Sequence, residues 1–400
     1  MTDRYDVIVA GAGPVGLITA LKLARSGVRV LVVDKLASVE TAPRAVGYQW
    51  PSPRIFEDLG ILEDVIELGV AKTDFSFIRH ADGRRDDMTL NCLDAEPDGQ
   101  RPYDIALGQD VLANIVVRHL GQQTHTDLRW SSTVVDLAQT DDEVTVTLKT
   151  GDGHEQVRSS WLVGADGSRS SVRNLLGVPF EGYTWPDRFV ATNVYYDFEA
   201  EGYPPTAFVR DPVNWAFIIK IDEQGLWRVT YGEDASLPRE SVRDRLDEHY
   251  RVLLPNPDRP WTLQSINSYQ VHERCAATFR VGRVLLAGDA AHVNNPSGGF
   301  GLLGGIYDAN ALGVALSAVV EGTHDDKVLD RYAEERRAIF LEKTSPYATR
   351  YKKTMMDPDT IQEFDTFVGK AAADPELMRA LVSPPQSIVG TFPLGRGAQL

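Results

Sequence analysis

The sequence predicts an α/β fold: a Rossmann-like dinucleotide-binding domain, an antiparallel-sheet domain inserted into it, and C-terminal helices. Three observations carry this. The chain opens as strand, glycine turn, helix and strand; a buried strand ending in a glycine turn returns near residue 284; and the stretch between is rich in aromatic and β-branched residues with frequent turn breaks.

The opening unit comes first. Tyr5–Ala10 is an apolar run of strand length, residues 14–25 carry a helical pattern, and residues 28–33 form a second apolar run. Between strand and helix lies Gly11-Ala12-Gly13-Pro14-Val15-Gly16, which fits G-x-G-x-x-G. Gly11 permits the tight turn, Gly13 lets a pyrophosphate approach the backbone, and Gly16 lets helix and strand pack closely. The helix N-terminus supplies amides and partial positive charge for phosphates. Asp34 ends the second strand, with Lys35 beside it, and can accept hydrogen bonds from a ribose. Gly299, Gly301 and Gly304 match the same pattern without a preceding strand, so that match is read as accidental.

Short helices are predicted near residues 52–59 and 62–68, and an amphipathic helix over 110–120. Alternation over 133–137 and 144–148 predicts a hairpin. A buried strand at 160–165 then delivers Asp166 into the segment Gly164-Ala165-Asp166-Gly167-Ser168-Arg169-Ser170-Ser171-Val172-Arg173, where Ser170 suits a helix N-cap. Residues 189–231 read as an antiparallel sheet, followed by a helix at 238–250 and a strand at 263–271. The strand at 284–287 runs into Gly288-Asp289-Ala290-Ala291-His292 and then Pro296-Ser297-Gly298-Gly299-Phe300-Gly301. An acid at the carboxyl end of a parallel strand stands where such sheets bind ligands. The glycines let a flat ring lie against backbone, and the helix from about 301 aims its positive end at that ring. His292 reads as structural. The expected domains are 1–180 with 270–345, then 181–269 as the inserted sheet, and 346–400 as a helical tail.

Composition narrows the function. The 400 residues carry a net charge of −16, which repels phosphate backbones and argues against nucleic acid. Cys92 and Cys275 form no ligand motif, so no metal site is expected and a reducing compartment fits. No signal peptide and no unbroken apolar run of spanning length are read, so a cytoplasmic protein off the membrane is expected.

The three glycine-containing segments, in this order and spacing, resemble the class A flavoprotein monooxygenases of the para-hydroxybenzoate hydroxylase type, over roughly residues 1–345. The resemblance implies FAD as cofactor, NADH or NADPH as cosubstrate, and O2 and a small aromatic molecule as substrates. It implies hydroxylation of a phenolic or heteroaromatic ring through a flavin hydroperoxide. By position, Arg44 would contact the FAD phosphates, Gln109 and Asp289 the ribityl chain, and Asp166 both FAD and the cosubstrate. Pro296, Gly298, Gly299 and Gly301 would stand beside the flavin edge, with the amides of Leu302 and Leu303 facing the pyrimidine ring. Many relatives have Asn at Leu303, so any side-chain role there is lost. Pro296 and Gly299 are the expected oxygen-side residues; Tyr231 and His272 are candidates to deprotonate a phenol. Trp215, Phe217 and Ile219 share one strand face and Trp227, Val229 and Tyr231 another, and either could wall an apolar substrate site or simply form core. No cation is read on either face, which predicts a neutral or larger aromatic substrate. A flavin reductase of the same superfamily and a non-catalytic flavin scaffold are the alternative readings. A monomer or homodimer is expected.

Overall fold

The computed structural model describes residues 4–42, 45–72, 74–81, 84–91, 104–382 and 386–394. Its first sheet has the order Arg280–Val281, Val284–Leu286, Gly153–Gly164, Tyr5–Ala10, Val30–Val33, Thr126–Arg129. The four pairings from Val284–Leu286 to Thr126–Arg129 are parallel, and Thr133–Gln139 and Val144–Thr150 extend Gly153–Gly164 as an antiparallel meander. Strands buried on both faces need continuous apolar sequence. Val7, Ile8, Val9, Leu31, Val32, Leu162 and Val163 supply it, each fully buried.

The helices Pro14–Arg25 and Phe300–Val320 pack against each other over this sheet. Phe300–Val320 is long and apolar enough to cross a membrane by length and composition. It is instead a core helix, 83% buried, and its apolar character continues all round because protein surrounds it on every side.

The second sheet is larger than the sequence suggests. Its order is His292–Val293, Thr262–Ala276, Phe180–Tyr195, Leu226–Asp234, Ala216–Lys220, Thr206–Val209, Asp74–Ala81, Arg84–Asn91. The last two strands come from far upstream, and Asp74–Ala81 joins by parallel pairing to Thr206–Val209. One face is covered by the amphipathic helix Val242–Leu253, which buries Leu246 and Tyr250 against Val229 and Trp227. The other looks toward the first domain. A small third sheet, Gly47–Gln49, Asp104–Ala106 and Val70–Lys72, lies between. The tail is substantial. Helices Ser345–Met356, Pro358–Ala371 and Pro375–Val382 run along the second sheet, where Val368 and Met378 bury Phe75, Phe77 and Leu90.

Asp308 joins these parts. It has no exposed surface and accepts hydrogen bonds from the Gly288 amide at 3.0 Å, His292 Nε2 at 2.8 Å and Arg336 Nε at 2.7 Å. Arg336 also donates to the carbonyls of Ile388, Val389 and Gly304. Burial alone would raise the Asp308 carboxyl, but the neighbouring His292 and Arg336 outweigh it and hold the group well below the carboxylate range. Asp308→Ala is expected to lower the unfolding free energy by about 3–5 kcal/mol at neutral pH, since it strands a buried guanidinium. A depressed carboxyl stabilises above its unfolded pKa. The deficit against wild type, followed by urea denaturation, should therefore shrink as pH falls below about 4.

Candidate functional site

The three glycine-containing segments meet at one place. Gly11 has φ +111°, and a Cβ there would stand 2.2 Å from the carbonyl oxygen of Ala165. The first segment therefore lies directly against the second. A Cβ on Gly16 would reach the Gly11 oxygen at 2.0 Å, whereas one on Gly13 would meet nothing within 4 Å. Gly13 faces open space, as an approaching phosphate requires. The helix Pro14–Arg25 starts at Gly13 with no side-chain cap, so its first-turn amides, that of Val15 among them, remain available to an anion. The Val15 side chain fits between Gly288 and Gly305, whose Cβ atoms would stand 2.8 and 2.6 Å from it. This is the contact between the first and third segments.

Acidic groups surround this cleft. Asp34 accepts from the amides of Ala12 at 2.7 Å and Leu36 at 2.8 Å, which fixes its carboxylate beside the glycine turn. Lys35 is exposed next to it. One oxygen of Asp166 caps the following helix through Ser171 N at 2.7 Å and Val172 N at 3.2 Å, and the other is buried without a partner. Asp289 is exposed in the turn Gly288–Ala290, and Gln109 opens the helix Gln109–Leu120. Arg173, in the second segment, is a tie that the sequence reading did not assign. It donates to the carbonyls of Ser168 at 2.9 Å and Ala290 at 2.8 Å and stacks on Phe180. Arg44 lies outside the described residues.

The loop after Asp289 forms a second cradle. Asn295 caps the turn Pro296–Gly298, and Gly299, at φ +71°, turns the chain into Phe300–Val320. That helix also begins without a side-chain cap, leaving the amides of its first turn, which holds Gly301, Leu302 and Leu303, for a ligand. Gln49, which the sequence reading missed, places Nε2 3.9 Å from where a Gly299 Cβ would be. An extended molecule with an anionic pyrophosphate at Gly13, hydroxyls at Asp34 and Asp289, and a ring at Gly298–Gly299 fits these donors and acceptors. FAD is such a molecule. Among the described residues, no group of three or more His, Cys, Asp or Glu is placed to hold a metal ion.

Strand register decides which second-sheet residues face this cradle. Phe217 pairs with Thr230, Ile219 with Arg228, and Arg228 with Asn193, so these five share a face. Trp215 joins them, packing on Phe189 and Phe217 with ring centroids 4.8 and 5.5 Å away. Phe208 continues the face, and Tyr351 links it to Phe300 after the turn Pro296–Gly298, with centroids 6.0 Å from Phe208 and 6.4 Å from Phe300.

Three expectations are corrected here. Trp227 and Tyr231 alternate to the opposite face, where Trp227 packs on Phe198 and Tyr231 on His249 under the covering helix. Neither can touch a substrate at the cradle. His272 pairs with Thr184 and lies on the face away from Val271 and Tyr269. Burial, Arg274 and Arg169 all lower its pKa. The face of Trp215 and Phe217 does carry a cation: Arg228 is buried, donates from Nε to Asn193 Oδ1 at 2.7 Å, and is pushed down to about 10 by burial. His292 is structural as expected, stacked between Phe279 and Phe340.

Residues 4–344 match the model of the FAD binding domain family. The chain is 43% identical over 384 residues to para-nitrophenol 4-monooxygenase of Pseudomonas sp. (strain WBC-3), covering 95% of this chain and 94% of that one. It is 39% identical over 350 residues to 6-hydroxy-3-succinoylpyridine 3-monooxygenase of Pseudomonas putida (strain DSM 28022 / S16), covering 87% and 88%. The crystal structure of p-nitrophenol 4-monooxygenase from Pseudomonas putida DLL-E4 superposes with a TM-score of 0.92 at 41% identity, covering 98% of this chain and 99% of that one.

If Asp289 holds a ribityl hydroxyl, Asp289→Ala should weaken FAD binding roughly 10- to 100-fold, the worth of a charge-assisted hydrogen bond. Titration of the apoprotein with FAD, followed by flavin fluorescence, measures this. An unchanged dissociation constant would remove Asp289 from the site.

Proposed function

The chain belongs to the FAD binding domain family, among the flavoprotein aromatic monooxygenases, and from that premise we propose that it hydroxylates a small phenol with an electron-withdrawing substituent, of the para-nitrophenol type, using NADH or NADPH. It is an FAD-dependent enzyme acting on an aromatic substrate. The observation that carries the narrower reading is the composition of the substrate face. Trp215, Phe217 and Phe189 offer flat apolar contact, and a buried guanidinium, Arg228, stands on the same face. An aromatic ring with one anionic or strongly polar oxygen suits that pair of features. It replaces the neutral substrate expected from sequence, because Arg228 remains cationic at neutral pH.

When bound and reduced, FAD would supply the activation of O2 by which one of its oxygen atoms reaches the ring. The protein's residues do the rest. Gly13, Asp34, Asp166, Gln109 and Asp289 would bind and orient the cofactor. The small residues from Pro296 to Gly299 would leave room at its reactive edge, and the aromatic face would exclude water. Arg228 would hold the substrate oxygen, favouring the phenolate that makes the ring electron-rich. Arg274 and His272 both hydrogen-bond Thr184, and this polar spot on the second sheet would be a place for the phosphates of the reductant.

The reading has a chemical signature. Oxygen entering the ring carbon that bears the nitro group displaces it, so 4-nitrophenol, O2, NAD(P)H and a proton give benzoquinone, nitrous acid, water and NAD(P)+. We expect nitrite release dependent on O2 and NAD(P)H. Arg228→Ala should raise KM for 4-nitrophenol roughly 10- to 100-fold, and Arg228→Lys should restore only part of it because the guanidinium fork is lost. Nitrite formation unchanged in Arg228→Ala, or none in wild type, would overturn the substrate reading.

A further inference from the structure

The turn Pro296–Gly298 hangs from a carboxylate on a strand of the second sheet. Glu273 lies on strand Thr262–Ala276 of the second sheet and is 4% exposed. Its Oε1 accepts from the Asn295 backbone N–H at 2.9 Å, Asn295 Nδ2 at 2.6 Å and Trp185 Nε1 at 3.4 Å. Its Oε2 accepts from Ser345 Oγ at 2.7 Å. Asn295 has no exposed surface, and its Oδ1 caps the turn through Ser297 N at 3.2 Å. Glu273 thus sets the residue that sets the turn.

The same carboxylate reaches the substrate side. Trp185 packs with Phe189, Trp215 and Phe217, the aromatic part of the substrate face. Its ring is covered by Lys352 Nζ at 3.8 Å, and Lys352 pairs with Asp187 at 2.6 Å. Lys352 is thus neutralised by Asp187 and caps the ring whose N–H donates to Glu273. One group therefore binds the turn, the aromatic face and the helix Ser345–Met356 at once. A carboxylate taken out of water is retained at such a point only when its donors are fixed, as these are.

We propose that Glu273 is a positioning residue for oxygen transfer: it holds the turn Pro296–Gly298 at a fixed distance from the aromatic substrate face, so that the cofactor edge and the substrate ring meet in register. The proposal rests on the reading of that turn as the flavin side of the site. Its loss should misplace the turn and divert turnover to the unproductive route, in which NAD(P)H, O2 and a proton give NAD(P)+ and hydrogen peroxide.

The test compares Glu273→Ala, Glu273→Gln and Asn295→Asp as holoenzymes. Gln keeps an oxygen that can accept from Asn295; Asn295→Asp sets a second carboxylate against Glu273 without changing size. In Glu273→Ala and Asn295→Asp we expect FAD to bind roughly ten-fold more weakly by fluorescence titration, the worth of a lost charge-assisted hydrogen bond. At saturating FAD, we expect the share of NAD(P)H recovered as peroxide to rise several-fold in both. Glu273→Gln should restore both readouts towards wild type. A purely structural role would lower the melting temperature and leave the peroxide share alone. Wild-type coupling and FAD affinity in Glu273→Ala, or in Asn295→Asp if the alanine variant does not fold, would overturn the proposal. The FAD titration needs no substrate, so it judges Glu273 even if no phenol is hydroxylated.

Discussion

Asp308 is the point on which the rest of the structure depends. A carboxylate without solvent contact is costly, and replacing such an ion pair by apolar residues is often neutral or stabilising. What Asp308 secures is geometry. Gly288 turns with φ +58°, and its amide donates to Asp308. The turn carries Asp289, and Arg336 brings the chain end at Ile388 and Val389 to the same carboxylate. The cofactor turn, the core helix and the C-terminal segment are thereby fixed relative to one another. His292 belongs to this structural assembly, bonded to Asp308 and stacked between Phe279 and Phe340.

The candidate site lies where residues of the two sheets come together. The first supplies backbone amides and acids at the ends of parallel strands, where a dinucleotide can lie extended. The second supplies a wall of aromatic rings with buried cations among them, Arg228 included. Short polar links join them: Arg173 ties the second glycine-containing segment to the third, and Glu273 ties the third to the aromatic face. The helices after residue 345 complete the enclosure, because Tyr351 bridges Phe300 and Phe208. The tail is therefore part of the site's wall.

The meeting of the three glycine-containing segments in the candidate site was legible because its signals are local. A glycine that needs positive φ, an uncapped helix start and an acid at a strand end each lie within a few residues, and the predicted helix at 14–25 matches Pro14–Arg25. The substrate half was less legible because its geometry is non-local. Period-two alternation groups Trp227 with Tyr231 and Phe217 with Ile219, but only the pairing of Ile219 with Arg228 tells that the two groups face opposite ways. The same register brings Arg228 to the substrate face. Strands Asp74–Ala81 and Arg84–Asn91 escaped notice because their polar residues blur the alternation and because Thr206–Val209, which Asp74–Ala81 joins, is far along the chain. The tail helices carry a helical period, yet nothing in the sequence names the sheet they cover.

These features converge on one chemical claim, that an oxygen atom of O2 enters an aromatic ring held between the aromatic face and the flavin-side turn. The most direct measurement is turnover under isotopically labelled oxygen gas with a phenol that stimulates NAD(P)H oxidation, the product being reduced at once and analysed by mass. The account predicts one labelled oxygen atom per product molecule and no product without O2. An unlabelled product, or full turnover in the absence of oxygen, would contradict it.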